Sequence, residues 1–221
     1  DSLCLEAYYR IAETAFELGW TSGYRAADNI LARLFRLNPN YRDALEIWWN
    51  RIYSQSEKRL REVGESLEQY LATNPGDCRI CLYAARIRQR LWEAGPALAL
   101  LDSLALHCPE YRCTESSLIR ANCLLILGDT LCFENAYAQT LQWAAKEDDF
   151  DLLFREAEPI FSPTEAKRWN TLNTPAEKAA FFRAFWKRRD PDPFTPFNER
   201  LVTHYCRLQY AKKNYFEYTP H

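Results

Sequence analysis

Hard oxygen ligands gather in one stretch of this chain, where Asp190, Asp192, Asn198 and Glu199 fall within "FFRAFWKRRDPDPFTPFNER". Such a group suits calcium, although it lacks the alternating ligands and the glycine of an EF-hand loop. Two carboxylates this close could also serve as general acid and base, but no nucleophile or oxyanion site accompanies them. The preferred reading is mechanical. Phe182, Phe185 and Trp186 give the preceding segment a buried helical face, Pro191 forces Asp190 out of helical geometry, and the Asp-Pro-Asp-Pro run becomes a stiff elbow. Arg189 and Arg207 are expected to lock that elbow through charge-assisted bonds to Asp190 and Glu199.

The eight cysteines are the other residues with chemistry of their own. An even count beside only three histidines points to an oxidising compartment in which thiols pair. Cys123 and Cys132 straddle Gly128-Asp129 almost symmetrically and are expected to pair across antiparallel helices. Cys78, Cys81, Cys108 and Cys113 are expected to add bridges of open connectivity. Two alternatives use the same residues: a zinc site built from all four, and thioredoxin-like redox chemistry at Cys78-x-x-Cys81, for which no βαβ setting is visible. Cys4 and Cys206 are left over, in the first and near-last helices, as candidates for disulfides between chains.

Several function classes recede. His107, His204 and His221 have no serine or cysteine at a spacing that reads as a nucleophile site, and there is no glycine-rich phosphate loop and no H-E-x-x-H. No catalytic residue, metal ligand or cofactor is therefore expected. A formal net charge of −2 supplies no field to draw in nucleic acid. No apolar run reaches the roughly 18 residues that signal a membrane helix. The chain opens on Asp1 and contains no methionine, which is read as a mature exported chain freed of its signal peptide.

The elements that must position these residues read as helices. Six glycines are too few for a turn-rich β architecture. Similar punctuation recurs at "LNPNYRDAL", "TNPGDCRICL" and "HCPEYRCTES", whose prolines, Pro39, Pro75 and Pro109, are separated by 36 and 34 residues. Turns are expected at "GWTS" (Gly19–Ser22) and on through Thr21–Gly23, at Glu93–Gly95 and at Gly128–Asp129. Ser162-Pro163 and Thr174-Pro175, each with a glutamate two residues on, announce two short helices, and Thr195-Pro196 is expected to start a third in the same way.

A helix-turn-helix period of about 34 residues closed by proline resembles the tetratricopeptide repeat (TPR) family. The expected fold is all-α: a right-handed α-solenoid of about four TPR-like helix pairs over residues 1–147, followed by a smaller helical region over 148–221. That second region resembles the GWxTD domain. The positions that carry the likeness are Phe185, Trp186, Arg189, Asp190, Pro191, Pro193, Thr195, Asn198, Glu199, Arg207 and Ala211, with Ile160–Leu172 as the lead-in helix. The Gly-Trp-x-Thr-Asp element that names the family is not among residues 1–221. The resemblance implies an exported bacterial protein, at the periplasm, cell surface or outside the cell, and no activity.

The function expected is a non-catalytic exported scaffold acting through protein–protein contact, self-assembling head-to-tail into a disulfide-stabilised polymer. Leu3, Leu5, Ala7, Tyr8 and Tyr9 open the first helix without the polar face that ends an isolated solenoid. Its partners are a protein or further copies of itself. One alternative is a cell-envelope adaptor for a peptide or glycan, with Trp48, Trp49 and Tyr53 as a platform, since adjacent tryptophans cannot both be buried on one helical face. The other is an enzyme whose partners lie far apart in sequence.

Overall fold

The computed structural model describes residues 2–17, 21–51, 56–111, 113–145 and 147–215. Among them are twelve α-helices, two short 3₁₀ turns and no strand. The chain divides into two compact units after Cys108. None of the described helices is long and apolar enough to cross a membrane.

The first unit holds α1 (Ser2–Glu17), α2 (Thr21–Leu37), α3 (Ala44–Arg51), α4 (Glu57–Thr73), α5 (Cys78–Arg90) and α6 (Ala94–His107). α1 packs on α2 and α5 on α6, while α4 lies against both α2 and α5. Pro39, Pro75 and Pro109 stand two residues beyond the ends of α2, α4 and α6, where a residue without a backbone donor cannot continue the helix. Leu31, Leu34, Phe35, Leu45, Trp48, Leu67 and Ile80 make the centre of the core. Small residues let the helices approach: a Cβ added at Gly64 of α4 would come within 3.1 Å of Ile87 Cγ2 on α5.

One carboxylate organises three of these helices. Asp28 of α2 accepts from Trp48 Nε1 of α3 at 2.8 Å and from Arg59 Nε of α4 at 2.8 Å. Asp77 caps α5 by accepting from Ile80 N, and Ser56 caps α4 by accepting from Arg59 N.

Two of the expected turns lie elsewhere. Thr21–Gly23 is the first turn of α2, Gly19 and Trp20 falling outside the described residues. Between α5 and α6 the chain reverses at Leu91–Glu93, with Trp92 in the left-handed region at φ 63°, and Ala94 and Gly95 already belong to α6. Pro96 sits in the first turn of α6, where its missing N–H costs nothing.

The second unit holds α7 (Thr114–Ile126), α8 (Thr130–Trp143), α9 (Glu147–Ala157), α10 (Pro163–Trp169), α11 (Pro175–Arg189) and α12 (Glu199–Tyr215). The turn between α7 and α8 is where the sequence places it, with Gly128 at φ 82° and Asp129 capping α8 through Cys132 N. Ser162 and Thr174 are N-caps with complete capping boxes to Glu165 and Glu177, each followed by proline. Thr195 is not a cap. α12 starts at Glu199, and the capping side chain is Asn198, whose Oδ1 accepts from Leu201 N at 2.8 Å. The boundary expected at 147/148 coincides with the start of α9, inside this unit, where Trp186 Nε1 of α11 donates to Tyr137 Oη of α8 at 2.9 Å.

Candidate functional site

The elbow between α11 and α12 is built from the aromatic side inward. Phe181, Phe182, Phe185 and Trp186 are all buried on α11. Phe185 lies 4.6 Å from Phe161 and 4.9 Å from Trp186, ring centre to ring centre. Asp190 leaves the helix in an extended conformation at ψ 114° before Pro191. Asp192 then turns the chain, its Oδ1 accepting from Phe194 N at 3.1 Å and its carbonyl accepting from Thr195 Oγ1 at 2.8 Å. Asn198 closes the elbow: its amide Nδ2 donates to the Trp186 carbonyl at 2.9 Å, and its backbone N–H donates to Glu134 Oε2 of α8 at 2.6 Å.

The cations of the elbow have other partners than the sequence suggests. Arg189 lies over the Phe185 ring at 3.8 Å and reaches Glu165 of α10 through Nη1 at 2.8 Å and Nη2 at 2.6 Å. Helical side chains lean toward the N-terminus, so the last residue of α11 runs back along the helix, while Asp190 has already turned away. Arg207 is exposed and pairs with neither acid among the described residues. It stands eight positions beyond Glu199, about 12 Å along the axis of α12. Asp190 Oδ1 and Glu199 Oε2 are buried without a hydrogen-bond partner in the described residues. The Thr195 hydroxyl beside Glu199 holds its carboxyl below the usual carboxylate range.

Calcium does not fit this arrangement. Both ends of the Asn198 amide are engaged by backbone, and Asp192 serves its own turn, so the four oxygens do not converge. No group of three or more metal-ligating side chains occurs among the described residues.

Glu165 carries two duties, the capping box of α10 and the bidentate pair with Arg189, whose guanidinium brings its carboxyl down to about 2. A carboxyl whose value falls on folding stabilises the fold fully above its ordinary 4.5 and loses that contribution as pH drops from 4.5 toward about 2. Glu165→Gln is therefore expected to cost about 1–3 kcal/mol at neutral pH. It should also flatten the fall in urea midpoint between neutral pH and pH 3; equal acid losses in parent and variant would rule the pair out as the cause.

The cysteines resolve in part as expected. Cys78 and Cys108 form a disulfide with their Cα atoms 6.0 Å apart. Antiparallel α5 and α6 bring the first residue of one beside the cap of the other, which is why these two meet. Cys123 and Cys132 are not joined. Cys123 is buried in the last turn of α7, Cys132 is exposed in the first turn of α8, and symmetric spacing about a turn does not set helical phase. Cys81 is a buried thiol donating to the Leu100 carbonyl, and Cys113 is the N-cap of α7. Burial pushes the Cys81 thiol up to about 11 and the Cys123 thiol up to about 12, far from a thiolate nucleophile. With Cys78 and Cys108 oxidised together, neither the four-cysteine zinc site nor the Cys78–Cys81 redox pair can form.

Comparisons with protein-family models, curated proteins and solved structures return no match. The geometry alone must carry the functional reading.

Trp48 and Trp49 divide as adjacent helical residues must. Trp48 is fully buried against Phe35, whereas Trp49 is half-buried beside Tyr83, with the Arg86 and Arg90 guanidinium groups 5.6 and 5.8 Å from its ring. Tyr53 lies outside the described residues. A shallow polar depression lined by Asn40, Tyr70, Asn74, Gly76, Asp77 and Cys78 is satisfied internally, since Asp77 Oδ2 accepts from both Asn40 and Tyr70.

The sequence reading did not find the second unit's polar centre. Glu156 of α9 is buried, and it receives Lys212 Nζ of α12 at Oε1, 2.6 Å away, while its carbonyl accepts from His204 Nε2 at 2.8 Å. Burial keeps the His204 imidazole below its usual 6.5. Glu156 Oε2 and Tyr205 Oη are buried and lack partners in the described residues. Glu156 and Lys212 are 56 positions apart, so no local pattern announces the pair. Lys212→Met is expected to cost about 2–3 kcal/mol by stranding the carboxylate, less than a fully buried pair because the ammonium keeps contact with water. Adding Glu156→Met should recover most of that loss in urea unfolding; no loss in Lys212→Met would mean that the pair is solvated.

Proposed function

We propose that this protein is a non-catalytic scaffold that works by holding other proteins, first of all further copies of itself. One observation carries the reading. α1 is apolar on both sides: Tyr9, Ala12 and Phe16 are buried, while Leu3 is 86% and Ile11 53% exposed around the exposed Cys4. Cys206 of α12 is a second exposed thiol. Helix pairs closed by Pro39, Pro75 and Pro109 support a TPR-like array of about four units, of which the first leaves an adhesive end. The elbow of α11 and α12 supports the GWxTD resemblance as a rigid corner, with Asn198, Thr195 and Arg189 in locking roles. The Cys78–Cys108 bridge supports export to an oxidising compartment.

Head-to-tail contact between unlike ends is heterologous and gives rings or open filaments. Under non-reducing conditions the protein should run as a ladder of multiples of one chain that collapses when thiol is added. A single band in both conditions would end the polymer reading. A peptide or glycan adaptor is the second reading, and the half-buried Trp49 beneath two arginines favours it. No catalytic role is assigned to any residue.

A further inference from the structure

We propose that copies meet where the exposed side of α1 on one molecule lies on the exposed side of α12 of the next, the helices parallel and Cys4 joined to Cys206 across the seam. This rests on the self-assembling scaffold reading and adds where the copies touch.

Each helix has one side committed to its own unit and one side left over. On α1 the leftover stripe is Leu3, Cys4, Ala7 and Ile11, all exposed, at the three- and four-residue steps of one helical face. On α12, Leu201, Tyr205 and Gln209 are buried, and the outward stripe is Cys206 with Tyr210, which is 62% exposed. The charges oppose each other. Leaving out Glu6, held by Arg42, and Lys212, held by Glu156, α1 carries Glu13 and Glu17 against Arg10, a net of −1, and α12 carries Arg200, Arg207 and Lys213 against Glu199, a net of +2. A second copy of this chain is thus the occupant that both chemistries fit: apolar against aromatic, acidic against basic, thiol against thiol.

The direction follows from where the stripes run. Leu3 adjoins Cys4, and one and two turns further on the exposed apolar residues lie C-terminal to the cysteine on both helices, Ala7 and Ile11 on α1 and Tyr210 on α12, so parallel packing with Cys4 on Cys206 overlays them. That register sets the Tyr210 ring over Ala7, where a small side chain leaves room. Small residues on α1 also permit the approach of about 4.4–6.8 Å between Cα atoms that a disulfide needs. The bond forms by exchange with a small-molecule disulfide of the glutathione type. One protein thiolate attacks it and releases a thiol, and the other protein thiolate then displaces the second. Two electrons pass to the glutathione disulfide, and the two protons lost by the cysteines appear on the two thiols released.

The test uses complementing variants in a Cys132→Ser background, which removes the third exposed thiol. Cys4→Ser and Cys206→Ser proteins are incubated in mixed oxidised and reduced glutathione, each alone and then together. Each alone should stay monomeric, whereas the mixture should form a dimer that stops at two chains, with Cys4 linked to Cys206 by peptide mass spectrometry. A dimer from either variant alone, or none from the mixture, overturns the seam. Placing Ile11→Asp in the Cys206→Ser protein, or Tyr210→Ala in the Cys4→Ser protein, should slow dimer formation at least about tenfold with unchanged circular dichroism, and added salt should slow it further. Unchanged rates in both also overturn it. If the unsubstituted protein polymerises through other residues, the scaffold reading survives and the seam does not; if it does not polymerise at all, both fail.

Discussion

Phe185→Ala is expected to lower unfolding free energy by about 3–5 kcal/mol, the range for emptying a buried aromatic site. The position has no exposure, and its ring contacts Phe161, Phe181, Phe182 and Trp186, with the Arg189 guanidinium on one face. Loss of the ring removes apolar burial, the edge contacts among the aromatics and the platform that aims Arg189 at Glu165. Because the elbow hangs from the same helix through Asn198 and the Trp186 carbonyl, its geometry should loosen too. Urea unfolding with tryptophan fluorescence measures the loss directly, and a change under about 1 kcal/mol would mean that the cluster repacks around the gap.

The second large effect is loss of the Cys78–Cys108 bridge. It closes a loop with a sequence separation of 30 residues, which by chain entropy corresponds to about 3–4 kcal/mol. The Cys78→Ser/Cys108→Ser protein should unfold at correspondingly lower urea. With Cys4 and Cys206 also changed to Ser in both proteins, so that no bond forms between chains, reductant should shift the parent to the same midpoint and leave the double variant unmoved. If reductant also shifts the double variant, a further disulfide contributes in solution.

What was legible in the sequence followed from local rules. Pro39, Pro75 and Pro109 stop helices because proline lacks a donor, and Ser162-Pro163 and Thr174-Pro175 start them because a hydroxyl, a preset φ and a glutamate lie in fixed order. The all-helical class is a sum of such rules. Pairing across space was not legible. Arg189 selects Glu165 over the adjacent Asp190, and Cys78 selects Cys108 over Cys81, because helix direction and phase decide which side chains meet. The α5–α6 turn, expected at Glu93–Gly95, was displaced for a related reason: the chain reverses earlier, with Trp92 in the left-handed conformation. The surface proposed for self-contact was half visible. Sequence singled out Cys4, Cys206 and the apolar opening of the first helix, but only the fold separates the buried side of α1 from the exposed one.

Light scattering of the native protein across a wide concentration range, without reductant, tests the scaffold account most directly. The account predicts masses that climb through whole multiples of one chain as concentration rises and that fall back when a thiol reductant is added. A constant single-chain mass at every concentration, with or without reductant, would contradict it.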